Sequence, residues 1–198
     1  MISLTRKDYI AQGTNRACYI DPDNLNRCIK VTISKDFSES KKEIKYYEFL
    51  KKRGVSFKFI ANYYGVVETS LGDGAVFDLV RDFNGEISKT LSSYLQKDEL
   101  TKEILNPIVL LKELREFTSK EKIVVKDLNT KNMLYQKIDE KSGKLILIDG
   151  VINNDFLFYS NYFDFLVQKK IDKLWNNFEK SLSTKYSHNH YFIKLLDF

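Results

Sequence analysis

The chain has 198 residues, which is enough for one domain or for two small parts that share a core. Hydrophobic residues make up 43% and charged residues 30%, a composition that excludes a disordered chain. The 32 basic and 27 acidic side chains leave a net charge of +5. This charge suits an anionic partner, but it does not distinguish nucleic acid, phospholipid and nucleotide.

The cysteine count and the hydropathy pattern favour a cytoplasmic protein. Cys18 and Cys28 are the two cysteines, and we expect free, partly buried thiols in a reducing compartment, with a disulfide as the alternative. The first residues lack the apolar core of a signal peptide. No stretch is long and apolar enough to predict a membrane span. Peripheral contact with the inner membrane face is a further option.

The N-terminal part predicts strands and one helix. The stretches that alternate in polarity or carry β-branched residues are predicted strands: 9–12, 17–20, 27–33, 63–70 and 75–80. From Phe37 to Gly54 apolar residues recur at helical spacing, with Asp36 or Ser38 as the N-cap. A turn at 71–74 is predicted to join the last two strands as a hairpin.

The C-terminal part predicts mostly helices. Helices are expected at 90–98 and 103–119, and a second hairpin pairs 133–138 with 145–148. A last amphipathic helix is predicted to place these apolar residues on one face: Phe163, Leu166, Ile171, Leu174, Phe178 and Leu182. Strands followed by helices are typical of an α+β fold with two lobes.

A polar loop between apolar stretches carries Asp127 and, five residues later, Asn132. In a phosphotransferase such a loop places a carboxylate to accept a hydroxyl proton and an amide to hold Mg²⁺. Further along, an apolar strand ends in Asp149 and Gly150, where a carboxylate suits a metal that bridges phosphates. The alternative is that Asp127 caps a turn and Asp149 leaves an ordinary hairpin. The order of the set favours the chemical interpretation.

A second group of polar residues lies in the N-terminal part. Lys30 lies on a predicted strand, where a lysine reaches the α- and β-phosphates of ATP if an acidic residue of the next helix holds it. Glu43 is the first candidate for that partner. The segment 12–16, with Gly13 and Thr14, is the expected loop over the phosphates, although it has one glycine. The alternative for Lys30 is an ordinary lysine on the solvent face of a strand.

The order of these residues resembles the protein-kinase-like fold. More closely, the chain is similar to the YrbL family of bacterial kinase-like proteins, which is linked to a PhoP regulatory network, over residues 3 to about 175. The stretches that carry this resemblance are RCIK at 27–30, KYY at 45–47, YG at 64–65, VET at 67–69, FD at 77–78 and DFNG at 82–85.

The resemblance implies one kinase-like domain over residues 1–198. Its expected form is a small bilobal α+β fold, in which a five-stranded antiparallel sheet with one helix spans about residues 1–80. A hinge is expected at about 80–85, and a shortened helical lobe at about 86–198.

The resemblance also implies ATP and Mg²⁺ as cofactors and a set of site residues. Asp127 is expected to act as the base, with Lys126 or Lys131 stabilising the transferring group. Asn132 and Asp149 are expected to hold the metal. The residues expected around the nucleotide are Gly13, Thr14, Lys30, Glu43, Val80 and Asp82.

Several departures from protein kinases point to a different acceptor. Val125 and Lys126 stand in place of His-Arg, the metal motif is Asp-Gly rather than Asp-Phe-Gly, and no Ala-Pro-Glu anchor follows Gly150. A chain without that anchor lacks the platform that holds a peptide. We therefore expect a hydroxyl of a small molecule or glycan as acceptor, with a sugar of the lipopolysaccharide inner core as first choice.

Two other function classes stay open on the sequence. A pseudokinase, which binds nucleotide or a partner without turnover, is favoured by the single glycine of the loop and the missing His-Arg. A basic nucleic-acid-binding protein is the more distant alternative. It is disfavoured because the basic residues are interspersed with acidic ones and no recognised motif is present. Assays of ATP hydrolysis or autophosphorylation separate an active kinase from a pseudokinase.

Overall fold

A computed structural model describes residues 1–153 and 164–196 of the chain. These residues form a mixed α and β structure, as the sequence predicts. A five-stranded antiparallel sheet with one long helix makes up the N-terminal half, and a three-stranded sheet with several helices makes up the rest.

The five-stranded sheet confirms the strands predicted for the N-terminal half. Its strands are β1 Tyr9–Gln12, β2 Arg16–Asp21, β3 Asn24–Thr32, β4 Tyr63–Thr69 and β5 Gly72–Asp78, in the order β1-β2-β3-β5-β4. The turn predicted at 71–74 is wrong, because Gly72 to Gly74 already pair with β4 and the turn is formed by Ser70 and Leu71. Gly74 pairs with Val67 and Val31 on the two neighbouring strands, and glycine suits this position because a β-carbon there would clash with the side chain of Ile29 on β3.

The long helix of this half is α1 Ser38–Lys52, and Phe37 occupies its N-cap position, so the predicted N-cap at Asp36 or Ser38 is wrong by one residue. Asp36 Oδ1 accepts a hydrogen bond from the Ser38 N–H at 2.8 Å, which satisfies one of the unpaired donors of the first turn. Gly54 follows the helix at a φ of 70°, a left-handed conformation that glycine adopts without strain. The helix packs on the sheet through Tyr47, whose ring meets the edge of Phe77 at 5.2 Å between centroids.

The C-terminal half has more breaks than the sequence predicts. Its strands and helices are β6 Lys89–Thr90, α2 Leu91–Tyr94, α3 Asp98–Thr101, α4 Pro107–Lys120, β7 Met133–Lys137, β8 Gly143–Leu147, α5 Asp164–Lys185 and α6 His190–Leu196. The predicted helix at 90–98 is wrong as a single element, because Lys97 has an extended backbone that separates α2 from α3. The helix predicted at 103–119 starts later, at Pro107, which suits a first helical turn.

One hydrophobic core runs through both halves. The Tyr46 hydroxyl of α1 accepts a hydrogen bond from the buried Val124 N–H at 2.9 Å. Ala61 donates its N–H to the Leu147 carbonyl at 2.9 Å, which ties the segment before β4 to the end of β8. Because these bonds cross between the halves inside the core, they hold a cleft between the two sheets in one geometry.

Helix α5 packs on α4 through the face that the sequence predicts, with one exception. Ile171, Phe178 and Leu182 are buried, whereas Leu166 is exposed, so its predicted place in the core is wrong. Phe163 lies outside the described residues. Trp175 is buried on the same face, and its Nε1–H donates to Thr118 Oγ1 on α4 at 2.9 Å.

Within residues 1–153 and 164–196, no helix has the length and apolar character needed to span a membrane.

Replacing Trp175 by alanine should lower the free energy of unfolding by about 3–5 kcal/mol, since it opens a large cavity and leaves Thr118 Oγ1 without its donor. Phe165→Ala is a matched control on the same helix, because its ring is 65% exposed. Its expected cost is about 0.5 kcal/mol or less. Urea unfolding followed by circular dichroism measures both values, and equal effects would contradict the packing described for α5.

Candidate functional site

A cavity of about 1130 Å³ lies in the cleft between the two sheets. Most of the side chains selected from the sequence line it, although they come from distant parts of the chain. Those lining residues are Gly13, Thr14, Lys30, Val80, Lys126, Asp127, Lys131, Asn132 and Asp149. Glu43 and Asp82 do not line the cavity, and their positions are described below.

Asp127 and Asn132 are in direct contact at the cavity wall. The Asn132 amide nitrogen donates to Asp127 Oδ2 at 2.9 Å and to the Asp127 carbonyl at 3.1 Å. A short 3₁₀ turn, Thr130–Asn132, brings the two residues together, and Asn129 Oδ1 begins this turn by accepting the Lys131 N–H at 3.1 Å. With its nitrogen bound in this way, Asn132 can direct its amide oxygen to a ligand.

The end of helix α5 supports this loop through hydrogen bonds that the sequence does not predict. The Tyr186 hydroxyl, just after α5, is hydrogen-bonded to Thr130 Oγ1 at 2.5 Å and to Ser92 Oγ at 3.2 Å. The Lys185 ammonium donates to Asn129 Oδ1 at 3.1 Å. No local pattern indicates these bonds, since they join residues more than 50 positions apart in the chain.

Asp149 and Gly150 follow β8 and pass close to the Asp127 backbone. The Ile148 N–H donates to the Asn132 carbonyl at 2.9 Å, which aligns this exit with the 3₁₀ turn. Gly150 has a φ of 76°, and a β-carbon there would stand 2.6 Å from the Asp127 carbonyl oxygen. Glycine is therefore required for Asp127 and Asp149 to line the same cavity.

Arg16, the first residue of β2, bridges two carboxylates. Its Nη2 donates to Asp149 Oδ1 at 2.6 Å, and its Nη1 donates to Glu43 Oε2. The predicted ion pair between Lys30 and Glu43 is wrong. Lys30 Nζ instead donates to the Ile148 carbonyl and lies over the Phe77 ring. The planar guanidinium has N–H donors on two sides, so it can bind both carboxylates at once. A lysine ammonium is less suited to this role.

The pKa values of the two carboxyl groups are shifted in opposite directions, because burial and the nearby cations oppose each other at both sites. Burial by itself would raise the pKa of Asp149, but the cations Lys30 and Arg16 outweigh it and lower that pKa to about 2. Burial raises the pKa of Glu43, although Arg16 and Lys30 act against it. Glu43 Oε1 has no hydrogen-bond partner within the described part of the chain. Glu43 is thus a buried carboxylate that depends on its ion pair.

The segment predicted as a hinge contributes Val80 but not Asp82 to the cavity. Asp82 is buried and accepts the Ser88 hydroxyl at 2.5 Å and the Lys137 N–H at 3.0 Å, so its carboxylate joins this segment to β7. Val80 lines the cavity, and its carbonyl already accepts the Ser88 N–H at 3.1 Å. Ala61 and Leu134 share a buried apolar cluster with Val80. The other apolar residues that line the cavity include Leu79, Ile87 and Ile152.

Lysine side chains also line the cavity. They include Lys89, Lys126 and Lys131, and Lys126 is paired with Glu39 of α1 at 2.7 Å. The cavity therefore combines a group of apolar side chains that includes Val80 with Arg16 and several lysines.

The two cysteines also line the cavity, as free thiols. A hydrogen bond from Cys28 lowers the pKa of the Cys18 thiol, with further help from Lys30 and Arg16. The same contact and burial raise the pKa of the Cys28 thiol well above its ordinary value. The expectation of free, partly buried thiols is confirmed.

Comparison with known proteins identifies the family. A family model described as PhoP regulatory network protein YrbL matches residues 2–183. The chain belongs to this family. It is 29% identical over 181 residues to the uncharacterized protein YrbL of Escherichia coli (strain K12), covering 90% of this chain and 86% of that relative. The uncharacterized protein YrbL of Shigella flexneri matches with the same identity and coverage.

Replacing Gly150 by alanine should lower the free energy of unfolding by more than the backbone strain of a left-handed alanine alone. Gly85→Ala is the matched control, because Gly85 has a φ of 86° with open space around a β-carbon. We expect the control to cost about 1 kcal/mol of unfolding free energy. Gly150→Ala should cost about 1–3 kcal/mol more, since its β-carbon meets the Asp127 carbonyl. Thermal unfolding measures the difference, and equal costs would contradict the close approach to Asp127.

Proposed function

We propose that this protein is an ATP-dependent phosphotransferase that moves the γ-phosphoryl group to a hydroxyl of a small or glycan acceptor. The observation that carries the proposal is the convergence of Lys30, Asp127, Asn132 and Asp149 on one cavity. These residue types in this order are typical of kinases. We also infer that the two sheets and their cleft form a trimmed, bilobal kinase-like fold, with residues 80–85 as the hinge.

The residues present fit a magnesium ion. Asp149 offers a partly exposed carboxylate, and Asn132 offers an amide oxygen whose nitrogen is already bound to Asp127. Among the described residues, no three or more His, Cys, Asp or Glu side chains cluster as a metal site. Two oxygen ligands agree with the preference of Mg²⁺ for one or two protein ligands together with water and substrate phosphates. When bound, the ion would neutralise negative charge on the phosphates.

The cavity also offers the two kinds of surface that a nucleotide requires. The apolar side chains of Val80 and Leu134 belong to one cluster and suit a flat base. Gly13, Thr14 and Lys30 also line the cavity, and the Lys30 ammonium is directed toward the exit of β8. In the proposed orientation the base lies against Val80 and Leu134, and the phosphates lie between the β1–β2 loop and Asp149.

In the proposed reaction, Asp127 orients the acceptor hydroxyl and accepts its proton. Asn132 holds Asp127 Oδ2 at 2.9 Å, which leaves Oδ1 to face the acceptor. General-base assistance of this kind contributes on the order of 10²–10⁴ in rate. Lys126 precedes Asp127 and Lys131 precedes Asn132; both line the cavity, and they would stabilise charge on the transferring group.

The lysines of the cavity and of the 127–132 loop favour an anionic acceptor. Lys89 and Lys131 line the cavity, and Lys185 is bound to the same loop through Asn129. Sugars of the lipopolysaccharide inner core combine free hydroxyls with nearby negative charge, so we propose them as the first acceptors to test. Such an acceptor would bring the protein to the inner membrane face as a peripheral protein.

A second candidate function is a pseudokinase that binds nucleotide without turnover. The observation that favours it is the bond from Arg16 Nη2 to Asp149 Oδ1 at 2.6 Å, which occupies an oxygen of the proposed metal ligand. The acid and amide of the 127–132 loop favour the active enzyme, because a protein that only binds nucleotide does not require a base at Asp127.

The decisive experiment measures Mg·ATP binding and transfer of labelled phosphate to a panel of sugar and lipopolysaccharide-core acceptors. Asp127→Asn should bind nucleotide normally but lose about 10²–10⁴ in transfer rate, since it removes the base. Asp149→Ala should lose nucleotide binding in the presence of Mg²⁺. Asp73→Asn is a matched control, because Asp73 is an exposed carboxylate on β5.

Each result separates the candidate functions. Transfer that survives in Asp127→Asn would remove Asp127 from the base role. Wild-type protein that binds Mg·ATP but transfers nothing to any acceptor, and does not hydrolyse ATP, would favour the pseudokinase. A wild-type protein that does not bind Mg·ATP, with Asp149→Ala changing nothing, would contradict both.

A further inference from the structure

Arg16 contacts two carboxylates that differ sharply in exposure. The side chain of Glu43 is 1% exposed, whereas that of Asp149 is 39% exposed. Breaking a buried ion pair leaves an uncompensated charge inside the protein, which is strongly unfavourable. A partly exposed pair is exchanged at much lower cost, because water and other ligands can replace it. The guanidinium is therefore anchored on its Glu43 side and exchangeable on its Asp149 side.

The loop before Arg16 does not offer the Gly13 backbone N–H to a phosphate, so another group has to bind it. The Gly13 N–H, which a glycine-rich loop would offer to a phosphate, already donates to the Arg16 carbonyl at 2.8 Å. The same bond fixes the backbone of Arg16 at the edge of the cavity. A guanidinium has five N–H donors in a fork that fits phosphate oxygens, and two ion pairs leave several of them available.

Lys30 does not take the role of a phosphate-binding cation held by Glu43. It is 8% exposed, its ammonium donates to the Ile148 carbonyl, and it lies 4.5 Å from the centroid of the Phe77 ring. These contacts hold the ammonium under the exit of β8, where it supports Asp149 from the protein side. Arg16 also lines the cavity, and it stands directly after the β1–β2 loop.

We propose that Arg16, anchored by Glu43, is a phosphate-binding residue of the nucleotide site, and that its second contact, Asp149 Oδ1, is released to the metal when nucleotide binds. This inference rests on the proposed nucleotide-binding function. In the exchange, Arg16 Nη1 keeps Glu43, Nη2 moves from Asp149 to a phosphate oxygen, and Asp149 gains a divalent cation. Each charged group has an opposite charge beside it before and after the exchange.

The test compares three ligands on Arg16→Met and wild-type protein: Mg·ATP, adenosine, and Mn²⁺ without nucleotide. Loss of one charge-assisted contact should weaken Mg·ATP about 10- to 100-fold. Adenosine has no phosphate, so its affinity should stay the same. Mn²⁺ alone should bind several-fold more tightly, because Asp149 no longer has a competing guanidinium. Calorimetry measures the first two affinities, and the electron paramagnetic resonance signal of free Mn²⁺ measures the third.

A double variant keeps this test valid if Arg16→Met unfolds the protein, and a variant at a second arginine serves as the control. Arg16→Met combined with Glu43→Gln removes the buried charge along with its partner, and it should show the same three changes. Arg115→Met is the matched control, since Arg115 also bridges two side chains, Glu179 at 2.6 Å and Asn176 at 2.9 Å, on helix α5. This control should leave all three affinities unchanged.

The outcomes distinguish the inference from the proposed function. If wild-type protein binds Mg·ATP and the Arg16 variants bind it equally well, the phosphate role of Arg16 is wrong and the proposed function stands. A parallel loss of ATP and adenosine would mean that Arg16 only maintains the fold of the cleft. Tighter Mn²⁺ with unchanged ATP would reduce Arg16 to a competitor for Asp149. Wild-type protein that binds no Mg·ATP would overturn the proposed function, and this inference with it.

Discussion

The ion pair between Glu43 and Arg16 is the constraint on which the cleft depends. Glu43 lies on the buried face of α1, and a lone carboxylate in that position would cost several kcal/mol. Arg16 removes that cost, and its guanidinium is then held where it also reaches Asp149. Helix α1, strand β2 and the exit of β8 are therefore coupled, because a shift of any one of them breaks a charged contact.

The second half of the site depends on a hydrogen-bond network rather than on ion pairs. The Tyr186 hydroxyl is hydrogen-bonded to Thr130, and the Asn132 amide donates to Asp127. Gly150 completes this arrangement because its missing β-carbon lets the backbone pass the Asp127 carbonyl. Charged contacts thus set the N-terminal wall of the cavity, and packing with hydrogen bonds sets the C-terminal wall. A ligand that bridges the two walls would contact both the charged residues and the hydrogen-bonded loop.

The sequence predicts those parts of this structure that have a local pattern. The five strands follow from alternation and turns, and the place of Asp127 and Asn132 in one polar loop follows from their spacing, although this spacing does not predict their hydrogen bond. Asp82 shows the limit of such reasoning, because its carboxylate is used inside the fold by Ser88 and the Lys137 backbone. The partner of Glu43 shows it again. Lys30 and Arg16 lie on neighbouring strands, and only the reach of each side chain in space decides between them.

In the proposed nucleotide site, an arginine in place of a lysine would also let a loop with one glycine bind phosphate. Three-glycine loops offer several backbone N–H groups to phosphate oxygens, whereas here the Gly13 N–H is used inside the hairpin. A cation with a planar fork replaces those neutral donors with charge. The free energy of phosphate binding would then come mainly from Arg16 and the metal at Asp149. Because both act on the same carboxylate, binding of the metal and movement of the arginine become one linked event.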